Sequence, residues 1–426
     1  MMLVIMVMGA VTILVSSLSS AALQIKRDKI TADAFSQAKE ALISYAASVA
    51  ITPSGSKRPG DLPCPDLNND GLAETSCGNA SGSTGQNLRL GRLPWKTLGL
   101  PDLRDSSGER LWYAVSNNFK NNARTALLNS DTPGTITVLA SAGNILYNGG
   151  ASGTGAAAVI IAPGDVLQRT DQSALQDRGS AGVNNAQNYL DIALGEDNAN
   201  FVDGSSGNGF IQGKIKDGNG KIILNDQLLV ITQDNIMQAV QKRVAAEVKQ
   251  CLNEYASATQ NKGRYPWAAK LDPSAAVSYS DSSNRLFGRI PDNPFGNTAT
   301  DSGNQMIDTW TGNCNINSLS GWWLNWKEVV FYGLADAYKP VNPLFIPAAN
   351  ACAGAGACLG VNPPSAATDK KFIVIAAGKK LAGQARTSNA DKGALGNYLE
   401  SPNNGGATAF AQGAFLATFN DTVVFP

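Results

Sequence analysis

Asp66-x-Asn68-x-Asp70-Gly71-x-x-Glu74 sets oxygen-bearing side chains at alternate positions of one short stretch. A hard divalent cation takes several oxygens on a tight turn. Alternate residues deliver them, and a glycine permits the bend. Calcium is the expected ion. Its ligands would be the side chains of Asp66, Asn68 and Asp70 and the backbone carbonyl of Leu72, with Glu74 binding directly or through water. The twelfth position, where an EF-hand carries its bidentate Glu, is Cys77. The stretch is therefore a shorter loop, clipped by Cys64 and Cys77. The alternative is an Asx-rich turn without an ion.

The rest of the chain offers little other chemistry. It has no histidine, which removes the commonest general base and metal ligand together. Six cysteines fall in local pairs, Cys64 with Cys77, Cys251 with Cys314, and Cys352 with Cys358. An even count with near partners points to disulfides in an oxidising compartment; free or metal-binding thiols are the alternative. No C-x-x-C is present, which argues against zinc and thioredoxin-like chemistry. The glycine run at 149–155 precedes an apolar stretch instead of following one, so it reads as a flexible surface loop and not a phosphate loop. Trp322, Trp323 and Trp326 would bind sugar, lipid or a partner if exposed, and fill a core if not. Asp105 and Glu109 could form an acid–base pair, though surface charge is the plainer reading. No enzymatic activity is expected. The 34 basic and 34 acidic residues balance, with no basic stripe for nucleic acid.

The elements that must position these residues begin with an uncharged run, Met1 to Leu23, followed at once by Lys26, Arg27, Asp28 and Lys29. Such a run reaches roughly 35 Å as a helix, enough for a bilayer core of about 30 Å. Positive charge after an anchor would hold the remainder in the cytoplasm, against the cysteine reading. A basic leader lost from before Met1 would resolve the conflict. An apolar stripe continues through Ile30, Ala34, Ala38, Leu42, Tyr45 and Val49, predicting one helix to about residue 50.

Seven blocks then recur in the same order. They are ALISYAA at 41–47 and CLNEYAS at 251–257; LPC at 62–64 and YPW at 265–267; GRLP at 91–94 and GRIP at 288–291. Next come ERLWYAVSNNF at 109–119 and EVVFYGLADAY at 328–338, then VIIAPGDVL at 159–167 and IVIAAGKKL at 373–381. The last are NYLD at 188–191 and NYLE at 397–400, and LNDQLLV at 224–230 and FNDTVVF at 419–425. The order implies a tandem duplication. A second stripe, Ile236, Val240, Val244, Val248, Leu252 and Tyr255, predicts the second copy's helix. Apolar runs at 111–115, 158–162, 329–332 and 372–376 predict strands, the first and third with a short helix as the alternative, and 136–139 and 228–231 are further candidates. The expected fold is α+β: a long N-terminal helix carrying two tandem domains, each a helix plus a small antiparallel sheet. The expected bounds are 1–29 for the apolar helix, 30–230 for the first domain and 231–426 for the second.

An uncharged N-terminal helix running into an amphipathic half and then an α+β head with a disulfide-held loop resembles a type IV pilin or type II secretion pseudopilin. The block RPGDLPCPDLNNDG…GRLPWKTLGLPDLRDSSGERLWYAVS at 58–116 is similar to large prepilin-like proteins. The resemblance implies removal of a short leader, methylation of Met1, and burial of the first helix in a filament. It implies a copy of the same chain as partner, and the inner membrane and assembly machinery before polymerisation. The family's acid at the fifth position is replaced by Ile5, and its helix-kinking proline near position 22 by Ala22. Loss of that acid also occurs in minor, tip-located members. The expected function is therefore a structural subunit of an extracellular filament or pseudopilus, with a tip adhesin or ligand-binding subunit as the alternative.

Overall fold

A computed structural model describes residues 2–50, 57–78, 86–121, 127–150, 153–271, 279–282, 284–294, 306–307, 309–310, 314, 316, 321–341, 349, 351–352, 356–406 and 408–426, excluding the side chains of 2–20, 86–87 and 366. Met1 and part of the glycine run, residues 151–152, lie outside the described residues. The chain divides into two compact units. The first is Met1–Tyr45, Leu62–Thr125 and Pro133–Thr232; the second is Ala46–Asp61, Ala126–Thr132 and Gln233–Pro426.

The first unit is centred on four antiparallel strands, β1 (Leu90–Arg92), β2 (Trp112–Val115), β3 (Ala158–Ala162) and β4 (Gln227–Ile231), in that spatial order. The inner strand β3, Ala-Val-Ile-Ile-Ala, is buried at all five positions, which is why it reads as an uninterrupted apolar run. Trp112, Val159 and Ile161 share a core with Tyr189, Leu190, Phe201 and Phe210. Helix α1 (Met2–Ser48) buries Thr31, Ala34, Phe35, Ala38 and Leu42, while Ile30 is exposed and Tyr45 half-buried. A strict four-residue spacing drifts about 40° per step around a 3.6-residue helix, so Phe35 enters the stripe and Ile30 leaves it.

In the second unit β5 (Phe287–Arg289), β6 (Val330–Leu334), β7 (Phe372–Ala376) and β8 (Thr422–Val424) repeat the arrangement, all antiparallel and in order. Helix α2 (Gln233–Ser257) packs on β7 and β8 and buries Ile236, Val240, Val244, Val248, Leu252 and Tyr255. The registers coincide. Gly91 faces Tyr113 and Gly288 faces Tyr332; Tyr113 faces Ile160 and Tyr332 faces Val374; Ile160 faces Leu229 and Val374 faces Val424. Residues matched by the sequence repeat thus hold matched places in the two sheets.

The expected α+β fold, a long pilin-like helix carrying two heads of one helix and one sheet each, is not what the chain adopts. The protein is sheet-rich. Four smaller sheets of two or three strands accompany the central pair among the described residues. Of the four α-helices there, Trp323–Trp326 and Asn389–Lys392 have only four residues each. No helix among the described residues is long and apolar enough to cross a membrane. The described side chains of α1 start at Ala21 and soon meet Gln24, Lys26, Arg27, Asp28 and Lys29. The extra sheets have a physical cause. Long excursions between central strands carry backbone N–H and C=O groups that need partners once buried. Val138–Leu139 accordingly pairs with Ile145–Tyr147 and Phe210–Ile211, and Leu359–Val361 with Ser365–Lys370 and Ala409–Phe410.

Candidate functional site

The oxygen-rich loop hangs from the end of β1, where Asp66 and Arg92 exchange both backbone hydrogen bonds at 2.9 and 2.7 Å. Disulfide Cys64–Cys77 closes it, with Cα atoms 5.5 Å apart. Asp66 is buried and organises the turn. Its Oδ1 accepts from the N–H of Asn69 at 2.6 Å and of Asp70 at 3.2 Å, and its Oδ2 accepts from Gly71 at 2.7 Å. Asn68 accepts from Asp70 N–H at 3.0 Å, Asp70 from Leu72 N–H at 2.7 Å, and Glu74 from Leu67 N–H at 3.4 Å. Arg110 donates to the Asn69 carbonyl and side chain, and Lys96 to the Asp70 carbonyl. Gly71 has φ +87°, and a Cβ there would stand 2.7 Å from the Trp95 ring.

Much of this oxygen is therefore turned to the loop's own N–H groups. Among the described residues no group of three or more His, Cys, Asp or Glu could hold a metal ion. Asn68, Asp70 and Leu72 face solvent, so an ion here would rest on them and on Glu74 more than on Asp66. In the second unit Ala269 makes the same backbone bridge to Arg289 that Asp66 makes to Arg92, and the turn organiser is missing.

The other candidates become structural. Cys251–Cys314 and Cys352–Cys358 are disulfides, and no described cysteine is free. Trp322, Trp323 and Trp326 are buried, and Trp323 Nε1 donates to Asp292 at 2.6 Å, so they form core and no exposed binding face. Asp105 is also buried. Its carboxylate accepts from the N–H groups of Ser107, Glu109 and Gly164, while Glu109 pairs with Arg178 at 3.4 Å. The described ends of the glycine run are anchored, since a Cβ on Gly149 would meet the Thr135 carbonyl at 2.0 Å and one on Gly155 the Gly134 carbonyl at 2.7 Å. These glycines allow two backbones to touch.

A polar cluster built twice was not anticipated from the sequence. In the first unit Asp191 N–H donates to Asp226 Oδ2 at 2.8 Å, and Asn225 N–H donates to Asp191 Oδ2 at 2.8 Å. Gln176 donates to Asp191 Oδ1 at 3.1 Å and Asn198 to Asp226 Oδ2 at 2.8 Å. In the second unit Glu400 N–H donates to Asp421 Oδ2 at 3.1 Å, and Asn420 N–H to Glu400 Oε2 at 3.0 Å. Gln384 donates to Glu400 Oε1 at 3.0 Å and Asn403 to Asp421 Oδ2 at 2.9 Å. Each cluster adjoins an arginine, Arg178 on the Gly164 carbonyl at 2.8 Å and Arg386 on the Gly378 carbonyl at 2.9 Å. The acids lie in the NYLD/NYLE and LNDQLLV/FNDTVVF blocks, so the repeat itself was the available signal.

No family model, curated protein or solved structure matches this chain.

Proposed function

We propose that the protein is a structural subunit of an extracellular type IV pilus-like filament or pseudopilus, polymerising with copies of itself through its uncharged N-terminal residues. The observation that carries the reading is at residues 21–30. At the end of the uncharged run and just beyond it, Leu23 and Ile25 are 63% and 69% exposed and Ile30 is 42% exposed. Twenty-three uncharged, mostly apolar residues are costly to leave in water, and burial against lipid or neighbouring copies relieves that cost. Three disulfides support an oxidising location for the folded units. The inner membrane and an assembly machinery are the partners before polymerisation; nucleic acid is not among them. Deletion of residues 1–25 is expected to give folded protein that forms no filaments in electron micrographs. Val11→Asp should block assembly while leaving the melting temperature of the units unchanged. Normal filaments from the truncated chain would overturn the reading.

A tip subunit that binds a ligand is the second reading. It draws on a cavity of ≈ 380 Å³ in the first unit, lined among others by Asp66, Arg92, Trp112, Asn185 and Asn200. Stoichiometry in purified fibres separates the two, with many copies along the shaft or one at the end.

A further inference from the structure

We infer that Asp191–Asp226 and Glu400–Asp421 are duplicated acid pairs, each holding one proton in the folded unit, so that both interiors act as latches tight in acid and loosened by alkali. Four observations carry this. Asp191 and Asp226 are 0% exposed, Asp421 is 1% exposed and Glu400 9%. Two ionised carboxylates side by side in such a place repel each other and lack water to screen them. The reciprocal backbone bonds, from each acid's neighbourhood to the other acid, bring the carboxyls together in both units. In the second unit Glu400 faces Asp421, and its negative charge opposes ionisation of that acid.

The fourth observation is the use of the oxygens. Oδ2 of Asp226 and of Asp421 each accepts two donors, while Oδ1 of both has no hydrogen-bond partner among the described residues. An ionised Oδ1 so placed would be a buried acceptor with nothing to accept; a hydroxyl there can instead donate toward the neighbouring acid. The surrounding charges do not neutralise the pair. Arg178 and Arg169 face Asp191, and Arg178 also faces Asp226. Yet Arg178 is engaged with Glu109 and Arg169 with Asp171 and Asp197. In the second unit Glu400 is the charged group facing Asp421, and Arg386, which donates to Gln384, is paired with Asp131. Burial pushes Asp191 up to about 6 and drives Asp226 and Asp421 well above the ordinary aspartate value.

The sign follows from linkage. A carboxyl whose folded pKa is raised binds its proton more tightly folded than unfolded. Its contribution is complete below the unfolded value of about 4 and is lost as pH rises through the folded value. Carboxylates held low act oppositely. Burial pushes Asp102 up but hydrogen bonds from Arg110 and Arg104 outweigh it, so its contribution is lost only as pH falls below about 4. Above pH 5 the acid pairs act together with Asp203, whose carboxyl burial also raises, and against Lys120, whose ammonium burial lowers to about 8.

The test is urea unfolding of the full, disulfide-bonded chain in detergent from pH 5 to pH 8, with infrared detection of protonated carboxyl groups at pH 7. Above about pH 6, where Asp191 is ionised, each pair should make the folding constant fall about tenfold per pH unit. Asp226→Asn should remove the fall from the first unit and Asp421→Asn from the second. The infrared band of a protonated carboxylic acid should be present in the parent protein and absent in the double variant. A folding constant flat or rising over this range, or a native chain without protonated carboxyl at pH 7, overturns the inference. Both of those measurements need only the parent chain, so they decide the matter even if a variant does not fold.

Discussion

The hydroxyl of Tyr113 donates to the carbonyl of Pro63 at 3.2 Å, and Tyr332 makes the same bond to Pro266 at 3.2 Å. Both tyrosines are fully buried on the second strand of their sheet. Each bond ties the loop before the sheet to its centre. It also explains why Leu-Pro-Cys and Tyr-Pro-Trp share little but the proline: the contact reads a backbone carbonyl, which any residue supplies. Tyr113→Phe and Tyr332→Phe should each cost about 1–2 kcal/mol in urea unfolding, because a buried carbonyl loses its donor. An unchanged midpoint would mean that water replaces the hydroxyl.

Gly71→Ala should cost about 1–3 kcal/mol, since it combines a left-handed backbone with a ring in the way. Gly99 offers the comparison. It has φ +67° but nothing among the described residues within 4 Å of the place a Cβ would occupy, so Gly99→Ala should cost only the backbone strain, about 1 kcal/mol. Equal losses at the two sites would show that Trp95 gives way freely.

Calcium is proposed for the loop at 66–74, and the geometry divides its residues. Asp66→Ala should destabilise by about 2–3 kcal/mol with or without calcium, because three N–H groups lose their acceptor. Asp70→Ala should leave the ion-free protein nearly unchanged and abolish any rise in melting temperature on adding calcium, since an ion bound only to the folded form must stabilise it. A melting curve of stripped protein that ignores both calcium and chelator would leave the loop as a turn.

Replacing Cys64 and Cys77 by serine should cost about 3 kcal/mol for a closed loop with sequence separation 13, and replacing Cys251 and Cys314 about 4 kcal/mol for separation 63. Non-reducing peptide mass spectrometry checks the pairings. Free thiols in protein isolated from its native location would contradict both the pairings and the oxidising compartment.

Several features were fixed by local chemistry and so were readable from residue order alone. The α2 stripe follows from the helical period. Strands β3 and β7 are unbroken apolar runs because inner strands are covered on both faces. The repeat blocks hold their register because a one-residue slip would turn every side chain to the other face. Cys64–Cys77 and Cys352–Cys358 close short stretches of chain, with sequence separations of 13 and 6, whereas Cys251–Cys314 joins residues 63 apart, a pairing that residue order alone left open.

Other features depend on which segments meet. Asp191 and Asp226 are 35 residues apart, and nothing in either block shows that backbone bonds will cross between them. The burial of the three tryptophans, the half-buried place of Tyr45 and the small sheets in the long excursions are likewise products of packing. Asp66 shows the division within one residue. Its type and spacing mark an oxygen-rich turn, but only the folded loop turns both of its oxygens onto N–H groups, because hydrogen-bond direction is set by three-dimensional approach and not by order along the chain.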